Sequence, residues 1–165
     1  IDANSLCPIY FNRNVREGNY KKKENVFFNE VHHRAESTRD TIPLPDNYQD
    51  LLSVFYYLRS HNLDKFQPGD TIPIQVYLDD EFMSSNLSYL GRDTLKTKFG
   101  RIPSTLWAPQ LELGRVFDEK NGMKIWVSDD ANKIPLRVET PVLVGSIKMD
   151  LVNFSNLKQP LHILP

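Results

Sequence analysis

The sequence predicts a mainly β fold: an antiparallel curved sheet or partial barrel of the meander type, with one amphipathic helix around residues 48–60. Three observations carry that expectation. Apolar and polar residues alternate with a period of two in many short runs, as in strands that bury one face. Eleven prolines and seven glycines punctuate those runs, as turn-forming residues do between strands. "DLLSVFYYLRS" instead repeats its apolar residues at helical spacing.

The first strand is predicted over residues 7–15, and Gly18 marks the turn after it. Residues 19–28 make the second, with Tyr20, Val26 and Phe28 on one face, and a more polar third covers residues 30–36. Pro43 and Pro45 hold the next stretch extended. Asp46 then stands where it can cap a helix, with Gln49 three residues on as in a capping box. Tyr48, Leu51, Leu52, Phe55 and Leu58 form the helix's apolar stripe, expected to lie against the sheet. From Gly69 onward strand follows strand. "TIPIQVYLD" places Ile72, Ile74, Val76 and Leu78 on one face, and "MSSNLSYLG" and "DTLKTKFG" are separated by a break at Gly91-Arg92. Then come "PSTLWAP", "ELGRVF", "MKIWVSD", "IPLRVET" and "VGSIKMDLVNF". Asn121-Gly122 is a two-residue hairpin signal.

A chain of 165 residues supports one β-rich domain with a sizeable core. It starts at Ile1 and not at Met, so an N-terminally truncated or processed fragment is expected. Lys and Arg total 20 against 21 Asp and Glu. That balance argues against a nucleic-acid binder, which needs a net basic face. The local run Lys21-Lys22-Lys23 reads as a solvated strand edge, where lysines discourage edge-to-edge pairing. Cys7 is the single cysteine, which excludes an internal disulfide and a thiolate-built zinc site. It reads as a buried, inert thiol. No apolar run approaches the length of a transmembrane helix.

Residue types that carry chemistry are few. His32 and His33 are adjacent, and on a strand they would point to opposite faces, so no metal site is called, and no cofactor either. Carboxylate pairs occur at Asp79-Asp80 and Asp129-Asp130. Paired carboxylates can do acid–base work when one site drives their pKa values apart. They also suit tight turns, because Asp bonds its own backbone and tolerates turn conformations. The turn reading leads at both positions. The second pair keeps chemical interest because Trp126 precedes it and Arg137 follows it on the neighbouring strand. Arg137 is expected to hold Asp129 or Asp130, as a guanidinium holds a carboxylate. Pro135 calls for a sheet edge or a bulge beside it. In the helix, Phe55 and Tyr56 fit either core packing or the lining of a ligand site.

The strings "WVSDDANKIPLRVE" and "VGSIKMDL", with "PIYFNRNVREGNY", "DLLSVFYYLRS", "YLGRDTLKTKFG" and "LELGRVF", resemble the bacterial family called domain of unknown function 3108, over nearly all of residues 5–155. The resemblance implies an exported, periplasmic protein of Gram-negative bacteria, often Bacteroides-like, with further strands ahead of the segment matched here. It implies no activity and no catalytic residues. The strand pattern is similar to that of periplasmic lipoprotein carriers, whose half-barrels hold acyl chains.

The function expected from these readings is non-enzymatic binding of an apolar or amphipathic, lipid-like ligand, or of a partner, on a concave sheet face. The ligand-binding candidates are Trp126, Asp129, Asp130, Arg137, Phe55 and Tyr56. Two alternatives stand beside it. One is a hydrolase or carbohydrate-active enzyme using Asp129, Asp130 and Arg137. The other is a structural or assembly module recognised by another envelope protein.

Overall fold

A computed structural model describes residues 1–111 and 122–165. The strand expected at "ELGRVF" and Asn121 of the expected Asn121-Gly122 turn lie outside the described residues. Among the described residues the fold is mainly β, 53% strand and 7% helix, with a curled mixed sheet and one α-helix. Strands β1 (Tyr10–Glu17), β2 (Tyr20–Asn29), β3 (Arg34–Ser37) and β4 (Thr41–Pro43) form an antiparallel four-stranded sheet in sequence order. The remaining strands are β5 (Tyr48–Gln49), β6 (Thr71–Leu78), β7 (Glu81–Thr97), β8 (Gly100–Leu111), β9 (Lys124–Ser128), β10 (Pro135–Pro141) and β11 (Ser146–Asp150). They make a seven-stranded sheet, also in sequence order. It departs from a pure meander at one end, where β5 pairs with β6 in parallel. The chain divides into two compact units, residues Ile1–Ser60 with Ile74–Ser84, and His61–Pro73 with Ser85–Pro165.

In the first unit the β1–β2 hairpin turns at Gly18, whose φ of +58° suits a residue without Cβ. On the inner face of β2, Val26 and Phe28 are buried as expected, but Tyr20 is exposed. Aromatic packing fills the core. Phe28 stacks on Tyr48 at 5.3 Å and meets Tyr77 edge-on at 5.4 Å, and Phe82 closes on Tyr77 at 5.4 Å. Cys7, Phe11 and Ala35 complete the cluster. His32 and His33 are not on a strand. They sit in the turn between β2 and β3, His33 at φ +49°.

The helix, α1, runs Ser53–Ser60, shorter than expected. Its start is fixed by Asp50 and not by Asp46. The Asp50 carboxylate accepts the N–H groups of Leu52 (2.8 Å) and Ser53 (2.6 Å), while Ser53 Oγ accepts the N–H of Asp50 at 2.8 Å. This reciprocal cap satisfies donors that a helix start leaves open. With the start moved, Tyr48 and Gln49 are free to pair as β5. Leu58 is buried, whereas Leu51 and Leu52, in the turn before the helix, are exposed.

The second unit is a sheet layer covered on both faces. One face carries Tyr89, Trp107 and Ile125, which are mutual neighbours in register. Phe66, just after a 3₁₀ turn at Leu63–Lys65, packs edge-on against Trp107 at 5.3 Å. The other face carries Leu95, Ile102 and Trp126, joined by Ile134 and Leu136. Leu151, Phe154, Leu157 and Leu161 of the C-terminal segment pack over it.

The break expected at Gly91-Arg92 is a bulge inside the single long strand β7. Gly91 sits there at φ +122°, which lets one residue loop out while pairing with β8 continues. Pro103 and Pro109 interrupt β8 but flank its doubly paired stretch, Ser104 to Trp107, so neither removes a needed donor from the β9 ladder.

Candidate functional site

The segment that drew attention in the sequence closes as a hairpin between β9 and β10, with Ser128 N–H donating to Ile134 O at 2.9 Å. Asp130 is the organiser of that turn. Its Oδ1 accepts from Ser128 Oγ (2.8 Å), Asn132 N (2.9 Å) and Lys133 N (3.1 Å), and its Oδ2 accepts from Asn132 Nδ2 (3.1 Å). Those bonds let Lys133 take a positive φ of +48°. The carboxylate is thus committed to main-chain and neighbouring donors. Asp129 points elsewhere and accepts from Arg92 Nε at 2.8 Å. That bond raises the Arg92 guanidinium pKa further above its ordinary value. Asn62, Leu63 and Asp64 face this turn across a cleft of about 290 Å³ lined also by Ser128, Asp129, Asp130, Ala131 and Lys133.

Arg137 does not join that turn, against expectation. Its Nε donates to Asp150 Oδ1 at 2.6 Å, and the two residues are direct partners across β10 and β11. The reason is register. Arg137 stands opposite Trp126 on one side, past the bulge that Pro135 called for, and directly opposite Asp150 of β11 on the other, so its nearest carboxylate across the ladder is Asp150. Asp129, Asp130 and Arg137 therefore form two separate polar sites.

Trp126 is mostly buried on the second unit's apolar face, and its Nε1 donates to Asp93 Oδ2 at 2.8 Å. Arg137 and Asp150 lie at the margin of that same face. They line a groove of about 460 Å³ with Lys96, Thr97, Lys98, Leu136, Leu151 and Val152. The groove combines three cations with an apolar floor, and one anion, Asp150, occupies part of the positive charge. Lys98, in the turn after β7, lies over the Phe99 ring at 5.1 Å.

The other two candidates, Phe55 and Tyr56, belong to the first unit. Tyr56 is half exposed with the Arg59 guanidinium 5.7 Å above its ring, and Phe55 is partly buried.

An ion cluster in the first unit was missed in the sequence. The inner face of the β1–β2 hairpin turns from apolar to charged along its length, through the register pairs Arg13↔Glu24 and Val15↔Lys22. Arg13 lies 3.0 Å from Glu24, and both Arg13 and Lys22 bond Asp79. The Lys22 bond is the main cause that holds the Asp79 carboxyl below its ordinary range. Lys22 therefore belongs to a partly buried network, while Lys21 and Lys23 keep the solvated role expected of the run. Asp79 and Asp80 are the two central residues of the β6–β7 hairpin, both at positive φ, as turn chemistry requires. The only signal for the cluster was period-two phasing of Arg13 with Phe11 and of Lys22 and Glu24 with Val26. Charged residues on such a phase look solvated when the partner strand is unknown.

Among the described residues, no group of three or more His, Cys, Asp or Glu is placed to hold a metal. No helix among them is long and apolar enough to cross a membrane. Fold and site together define a mainly β protein with a curled mixed sheet and a groove on one sheet face that is cationic at the rim and apolar at the floor. Within that class, the chain belongs to the family described as Protein of unknown function (DUF3108), which it matches over residues 1–152. Neither curated proteins nor solved structures yield a match to the chain.

Proposed function

We propose that the chain is a non-enzymatic binding protein of the bacterial envelope whose ligand is a single-chain amphiphile with an anionic head. One observation carries the reading. The groove at the edge of β10 sets Lys96, Lys98 and Arg137 around a floor of Leu136 and Leu151, continuous with the apolar cluster of Leu95, Ile102 and Trp126, with Val152 exposed at its margin. Ligand sites of this kind pair a large apolar wall with a few placed polar groups. Lysine stems can cover apolar surface while their ammonium groups reach a head group. The exported location implied by the family resemblance belongs to the same proposal. Mass spectrometry of organic extracts from native protein tests it. A co-purifying fatty acid or lysolipid is expected, and extracts free of any amphiphile count against the reading.

The hydrolase alternative needed Asp129, Asp130 and Arg137 to converge. With Asp130 committed to its turn and Arg137 to Asp150, that alternative loses the geometry it rested on. The assembly-module alternative keeps a specific support. Val142, Leu143 and Val144 at the β10–β11 turn, with Ile147 and Met149 on edge strand β11, expose a row of apolar side chains. Such a row beside an unpaired edge suits a protein partner. If Leu143→Asp abolishes capture of a defined envelope protein without altering amphiphile binding, both roles exist side by side.

A further inference from the structure

We infer that the C-terminal segment, residues 153–164, is a displaceable occupant of the amphiphile site: it fills the apolar half of the groove until a ligand chain takes its place. This rests on the binding reading above and adds its regulation. The face formed by Leu95, Ile102, Trp126, Ile134 and Leu136 is covered by Phe154, Leu157 and Leu161, side chains spaced three and four residues apart on an irregular backbone. Phe154 meets Phe99 edge-on at 5.0 Å. Among the described residues, few hydrogen bonds tie the segment to the sheet. Leu151 N–H donates to Leu136 O (2.9 Å) at its start and Leu164 N–H to Arg101 O (2.8 Å) at its end. Between them, Gln159 exchanges two hydrogen bonds with the Asn132 side chain, 3.0 and 3.3 Å.

A cover held this way differs from a strand. It contributes side chains to the core and little to the ladder, so a flexible apolar chain can replace its contacts without leaving sheet donors unpaired. Its position fits the exchange as well. The cationic groove opens at Leu151 and Val152, where the cover begins. A carboxylate at Lys96, Lys98 and Arg137 would therefore start an acyl chain along the path now taken by Phe154, Leu157 and Leu161. The family match spans residues 1–152, and these three covering residues lie after the matched span.

The thermodynamic consequence is direct. If the open form is a minor population, apparent affinity falls by that fraction, and loosening the cover restores it. The test uses dansylaminoundecanoic acid as a fluorescent probe on the full chain. One variant combines Leu157→Asp with Leu161→Asp to loosen the cover. A second combines Arg101→Cys with Leu164→Cys, residues paired across an isolated antiparallel bridge, to clamp it. The loosened variant is expected to bind at least about tenfold tighter than the parent. The oxidised clamp should bind correspondingly weaker and return to parental affinity on reduction. The clamp carries the test on its own if the aspartates unfold the protein, since it closes in the folded state. Equal, saturable affinity in parent, oxidised clamp and reduced clamp overturns the inference and leaves the binding reading standing. No saturable binding by any form, including the parent, overturns the binding reading and the inference with it.

Discussion

Arg137 donates to Asp150 at 2.6 Å across β10 and β11, and takes no part in the carboxylate-rich turn eight residues before it. The pairing moves the arginine from a catalytic-looking constellation to the margin of an apolar face. A double-mutant cycle should report it. Arg137→Ala with Asp150→Ala should show a coupling of about 0.5 kcal/mol, the scale of partly exposed pairs. Cycles of Arg137→Ala with Asp129→Ala or Asp130→Ala should show none beyond error. Coupling to either turn aspartate would restore the active-site reading.

The two adjacent aspartates should differ sharply in their effect on stability. Asp130 accepts four hydrogen bonds that hold the turn, so Asp130→Ala should cost about 2 kcal/mol or more. Asp129 pairs with an exposed arginine, so Asp129→Ala should stay within about 1 kcal/mol. Urea unfolding of the two variants decides the matter, and equal losses would mean the turn is held by something else.

Acid should act first on the first unit. Asp79 has a carboxyl pKa lowered below its ordinary value of 3.8, chiefly by its bond to Lys22. A depressed carboxyl contributes stability that is present above the unfolded-state value and is lost as pH falls through the lower folded value. Stability measured between neutrality and pH about 2 should therefore drop below pH about 4. Asp79→Asn should flatten that drop while lowering stability at neutral pH. An unchanged acid limb in the variant would remove Asp79 from the account.

Cys7 is buried in the first unit's core, and that burial raises its thiol pKa. Because the thiolate is the reactive form, native protein should react with a disulfide reagent orders of magnitude more slowly than a free thiol. The rate should rise through the unfolding transition. Fast native labelling would place Cys7 outside the core.

Much of this architecture is legible in the chain because alternation survives in the short strands. Ile72, Ile74 and Val76 are buried as their period-two phase requires, and Asp79-Asp80 announces its own hairpin. The helix start was displaced because two aspartates four residues apart can each cap, and only the buried position of Ser53 favours Asp50. The partner of Arg137 was illegible for a different reason. Alternation gives the face of a residue, but the residue across the ladder depends on which strand pairs there and in what register, and here β11 sets Asp150 opposite Arg137. Lys22 and Glu24 hid behind their charge. The cover formed by Phe154, Leu157 and Leu161 has helical spacing but no helix, since an irregular segment follows the surface it packs on and not its own geometry.

The central claim is that the groove at the edge of β10 receives an anionic amphiphile, and calorimetric titration of oleate into the full chain tests it most directly. The account predicts saturable binding at one site, weakened at least about tenfold when Lys96→Glu and Lys98→Glu are combined, with the folded state retained because both lysines are exposed. Absence of saturable binding, or binding indifferent to reversal of both charges, would contradict it.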